Sequence, residues 1–71
     1  MKYYILTGTI NGRPIKERLF PSRQSAERRL DRVLDKKNLQ VEIDRHPSKH
    51  TEEFVCNQYT RFSIARCVVE L

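Results

Sequence analysis

Asn11-Gly12 lies between two runs of mixed apolar and polar residues, KYYILTGTI and RPIKERLF, and this dipeptide constrains the chain more than any other feature. A two-residue type I′ turn needs φ > 0 at both central positions, and asparagine and glycine tolerate that best. The turn sets a register that pairs Ile10 with Arg13, Gly8 with Ile15, Leu6 with Glu17 and Tyr4 with Leu19. Alternation then places Tyr4, Leu6, Ile10, Ile15 and Leu19 on the core side of the hairpin, with Gly8 and Glu17 as its weak points. The opposite face receives Tyr3, Ile5, Thr7, Lys16, Arg18 and Phe20.

Pro21-Ser22 stops the second strand and opens a helix, with Ser22 as its N-cap. Lys36-Lys37-Asn38 closes it, setting cations at the negative end of the dipole and a residue that accepts the left-handed conformation. Ala26, Leu30, Val33 and Leu34 fall at i, i+4, i+7 and i+8, one stripe wide enough to cover a sheet. At about 100° per residue the rest of the circumference divides into a basic flank (Arg28, Arg29, Arg32, Lys36) and an acidic one (Glu27, Asp31, Asp35). Arg28 with Asp31 and Arg32 with Asp35 are spaced to offset the repulsion between the cations.

Beyond the helix, LQVEIDRH over 39–46 alternates like a strand with one wet face. HPSKHT reads as a loop, EEFVCN as a strand, NQYT as a turn, and TRFSIARCVVEL as the longest strand. In that last strand Phe62, Ile64 and Val68 face one way and Ala65, Cys67 and Val69 the other, which predicts a central position. The order β-β-α-β-β-β describes an α+β domain, an antiparallel sheet with one helix packed on one face. Seventy-one residues are expected to form a single free-standing domain over 1–71. At that size one core supplies only a few kcal/mol, so self-association as a homodimer is expected.

Charge narrows the partner. The chain carries +5, but residues 1–38 hold ten Lys/Arg against four Asp/Glu while residues 39–71 hold four against five. The excess therefore sits on the hairpin and helix, where it suits a nucleic acid, an acidic protein surface or plain solubility. No apolar run approaches the ~18 residues of a membrane span, and no secretory leader pattern is present, so a cytoplasmic protein without a membrane partner is expected.

The chemistry-bearing residues are few. His46 and His50 have the H-x3-H spacing, but Pro47 interrupts it in a loop, and neither Cys56 nor Cys67 has a C-x2-C partner, so no metal site or cofactor is assigned. The two cysteines are not natural cross-strand neighbours and are expected to be reduced. Glu52 and Glu53 are adjacent and point to opposite strand faces, which excludes a glycosidase-type acid and base pair and leaves them as solubilising groups on an edge. With two glycines, Gly8 and Gly12, there is no phosphate-binding glycine loop. No catalytic residue is assigned.

Two binding surfaces remain. A protein partner would meet the basic helix flank Arg28, Arg29, Arg32 and Lys36 together with exposed sheet edges. A nucleic acid would meet Tyr3, Lys16, Arg18 and Phe20, where aromatic rings that stack on bases alternate with cations that neutralise phosphates. RLFPSRQSAERRL resembles the strand-to-helix pattern F-x-[ST]-x-x-x-A-x-x-x-L of the AP2-like arm-type DNA-binding domain of phage and transposon integrases. The resemblance covers about residues 3 to 34 and implies DNA read by the sheet through Lys16 and Arg18. That family has three strands followed by a terminal helix, whereas this chain has two strands before its helix and three after. The expected function is a small non-catalytic binding protein, of the kind phage or mobile-element accessory genes supply against a host or defence protein. Nucleic-acid binding is the alternative.

Overall fold

The computed structural model describes residues 2–68. Among them β1 (Lys2–Ile10), β2 (Arg13–Pro14), β3 (Arg18–Phe20), α1 (Arg23–Lys36), β4 (Ile43–Ser48), β5 (Thr51–Asn57) and β6 (Thr60–Val68) follow in chain order. The strands form one antiparallel sheet in the order β2-β1-β6-β5-β4, with β3 also paired to β1. α1 lies across one face, so the α+β architecture stands as the sequence predicts.

Asn11 and Gly12 take φ of 53° and 80°, as a type I′ turn requires. The expected register holds from Ile10↔Arg13 to Ile15, whose N–H donates to Gly8 O at 2.9 Å. It then slips by one residue: Arg18, not Glu17, opposes Leu6, and Phe20, not Leu19, opposes Tyr4. A bulge over Lys16-Glu17 separates β2 from β3. The cause is the odd spacing of Ile15 and Phe20, which a regular strand would send to opposite faces; one extra residue turns both inward. Phe20 accordingly packs on the core, while Leu19 is 64% exposed.

The core joins Leu6, Cys56, Phe62 and Ile64 of the sheet to Ala26 and Leu30 of the helix. Gly8 is no weak point, because the space of its missing Cβ is taken: a Cβ there would lie 2.5 Å from Arg61 O and 2.7 Å from Phe62 Cδ1. Ser22, in extended backbone, accepts from Ser25 N–H through Oγ at 3.1 Å, satisfying one orphan donor of the first turn. At the other end Asn38 has φ 54°. Its N–H donates to Asp35 O at 3.2 Å and that of Leu39 to Leu34 O at 2.8 Å, a Schellman closure with Leu34 and Leu39 both set against the core.

Two further expectations are corrected. Residues 39–42 are not strand; Leu39 and Val41 pack inward, but the chain bends where Glu42 N–H donates to Val55 O at 2.9 Å. Ile43 then opposes Val55 on the other face, about half exposed. HPSKHT is strand as far as Ser48, the turn being Lys49-His50. β6 is central as expected, with β1 on one side and β5 on the other, so its described length has no free edge through which to dimerise. The outer edges belong to β4 and to β2 and β3.

The two hairpin turns are joined, Gly12 N–H donating to Tyr59 O at 2.8 Å and Asn11 N–H to Thr60 Oγ1 at 3.0 Å. That bond satisfies the fully buried Thr60 hydroxyl oxygen. Cys56 and Cys67 are free thiols, and burial, then the charge of Glu42, pushes the Cys56 thiol up from its ordinary value. Among the described residues no helix is long and apolar enough to cross a membrane.

Candidate functional site

The two charged flanks of α1 meet different sides of the sheet. On the β3 side the slipped register brings Arg18 and Phe20 onto the face that the helix covers. There they line a groove of about 280 Å³ with Ser25, Arg28, Arg29 and Arg32. The helix residues recur at i, i+3, i+4 and i+7, one stripe along the cylinder, and Lys36 continues it one turn beyond the groove. No carboxylate lines the groove. None of these four guanidinia pairs with a described carboxylate within 4.0 Å, so the anticipated Arg28–Asp31 and Arg32–Asp35 bridges do not form.

The structure thus redistributes the residues the sequence singles out. Tyr3, Lys16, Arg18 and Phe20 do not share a surface. Tyr3 opposes Cys67 on the face away from the helix, Lys16 sits exposed in the bulge, and only Arg18 and Phe20 enter the groove. What the sequence treats as two rival surfaces becomes one, because Arg18 and Phe20 join Arg28, Arg29 and Arg32. The signal for this was present in the odd spacing of Ile15 and Phe20.

On the other side, between the first turn of α1 and strands β4 and β5, lies a smaller recess of about 140 Å³. Arg23, His46, Lys49, His50, Thr51, Glu52 and Arg66 supply its polar lining, beside Tyr4 and Ile64. Among the described residues Glu52 is the buried acid, 8% exposed, and is not the edge solubiliser its sequence context implies. Its partner Glu53 does point to the opposite face, where it pairs with Arg45. Arg23 reaches down from the helix to hold Glu52 Oε1, and also bonds Glu27 Oε1 at 3.1 Å.

His46 Nε2 lies 3.7 Å from Glu52 Oε2 and 3.9 Å from Asp44 Oδ1. Burial pushes the Glu52 carboxyl up, but hydrogen bonds from Arg23 and with Asp44 outweigh it and hold it below the usual carboxylate range. Asp44 is raised, by desolvation and then by its hydrogen bond with Glu52. Arg23 is raised by its bond to Glu52. Across the recess, Arg66 donates through Nη2 to His50 Nε2 at 3.0 Å, which places the His50 proton on Nδ1. Arg66 Nε is buried without a partner. His46 and His50, a pair by sequence spacing, therefore have different partners. The Glu52 cluster has no local sequence signature, because Arg23 stands 29 residues away.

Compared with protein-family models, with curated proteins and with solved structures, the chain matches none.

Proposed function

We propose that this protein is a non-catalytic cytoplasmic binding module that grips a nucleic-acid backbone in the groove between β3 and α1. The observation that carries the reading is the convergence of Arg18 with Arg28, Arg29 and Arg32 around Phe20, with no carboxylate lining the groove. Guanidinia left without acidic partners repel one another, and a phosphate chain relieves that repulsion through bidentate bonds while releasing its own counterions. Phe20 lines the same groove and offers apolar surface on which a base or sugar can rest.

The test is binding of the purified chain to random duplex and single-stranded oligonucleotides at ~50 and ~200 mM salt. Each phosphate neutralised lowers the log-log slope by about 0.9 on duplex and about 0.7 on single strands. Four contacts therefore predict a loss of roughly a hundredfold in affinity across that range. Arg28→Glu/Arg32→Glu should abolish binding, while Tyr3→Ala leaves it unchanged. Absence of binding at the lower salt overturns the reading.

A second reading, a stoichiometric protein partner such as a phage-type accessory protein engages, draws support from the outer edge of β4. All six of its residues are exposed, Ile43 among them, and an unpaired edge accepts a further strand from another protein or a second copy. That partner would show modest salt dependence and be lost with Ile43→Lys.

A further inference from the structure

Asp44 and His46 stand two residues apart on β4, so their side chains leave the same face of the strand, and β5 sets Glu52 beside them. One donor atom from each lies within 4.8 Å of the other two. Donors bound at about 2.0–2.2 Å in a tetrahedral site are separated by about 3.3–3.6 Å. The 3.7 and 3.9 Å approaches of His46 thus fall a few tenths of an ångström short of closure at two points. Asp44 and His46 are both at least half exposed and free to make that adjustment. We propose that Asp44, His46 and Glu52 form a three-ligand site for a first-row divalent cation, zinc fitting best, with the remaining position open to solvent.

One further observation supports the site independently of the donor spacing. Glu52 is not a mobile surface acid: its side chain is 10% exposed, Arg23 holds Oε1, and Oε2 faces His46. This is the outer-shell clamp that ligating carboxylates characteristically have. Lys49, His50 and Arg66 also line the recess; Arg66 is held by His50, and neither it nor Lys49 pairs with the ligand carboxylates. An imidazole with two carboxylates suits zinc, cobalt or manganese and disfavours calcium and magnesium, which prefer all-oxygen sites.

The experiment titrates the chelator-stripped full chain with Zn²⁺ by calorimetry and with Co²⁺ by visible absorption at about pH 7.5. One ion should bind per chain, with Zn²⁺ tighter than Co²⁺ and Mn²⁺ weakest. His46→Gln and Asp44→Asn, both at exposed positions where the fold tolerates change, should each weaken Zn²⁺ by at least about tenfold. His50→Gln and the double variant Cys56→Ser/Cys67→Ser should leave it unchanged. No stoichiometric Zn²⁺ binding, equal binding by His46→Gln, or loss on removing the cysteines or His50 instead would each overturn the site. None of these results depends on nucleic-acid binding, which uses the other flank of the helix.

Discussion

Gly8 and Glu52 show how a residue's role follows from what the fold brings against it. Glycine within a strand normally weakens it, but here the Phe62 ring and the Arg61 carbonyl fill the volume a side chain would need. Gly8→Ala is therefore expected to destabilise the protein by about 1–3 kcal/mol, the usual penalty of overpacking, measured as a lowered urea midpoint with an unchanged slope. Gly12 has open space around its Cα and is retained for its φ of 80° alone. The two glycines are equally legible as glycines in the sequence. Only the turn glycine announces its reason locally, since the other depends on Phe62, 54 positions along the chain. Glu52 reads like Glu53 until Arg23 is known to lie above it.

At the scale of the element, the bulge between β2 and β3 decides most. It transfers Phe20 inward and Leu19 outward, and it carries Arg18 to the side of the sheet where the helix cations lie. Phe20→Ala should cost about 2–3 kcal/mol by loss of packing, whereas Leu19→Ala should stay within about 0.5 kcal/mol; chemical denaturation of both variants checks the register, and the unbulged register predicts the reverse order. The helix was legible throughout, because capping, apolar stripe and left-handed terminus are all local chemistry. Strand β4 was legible in type and not in extent. Its alternation runs continuously through 39–46, but the covering helix ends over Leu39 and Val41, and nothing remains to hold Ile43 inward.

For the whole molecule, the helix acts as a divider: its basic flank faces the β3 edge, while Arg23 at its first turn reaches Glu52 of β5. Its N-terminal turn is pinned to the sheet by the Arg23–Glu52 pair, and this links stability to pH. Glu52 has a folded pKa below its unfolded value, so its contribution is complete above the unfolded carboxylate range near pH ~4.3 and is lost as pH falls through the folded value. Asp44, raised on folding, acts in the opposite sense and loses stabilisation as pH rises through its folded value. Thermal melts between about pH 2.5 and 7 should therefore show an acid-side decline that Glu52→Gln flattens and Asp44→Asn steepens. The sequence by itself determined the first turn, the capped helix, the antiparallel α+β class and the central place of β6, because each rests on contacts between residues near in the chain or on a strand's own pattern of faces. Tertiary structure alone decided the bulged register, the burial of Glu52 and the gathering of the arginines, because each depends on which side chains compete for one enclosed face, a question settled only when distant segments pack together.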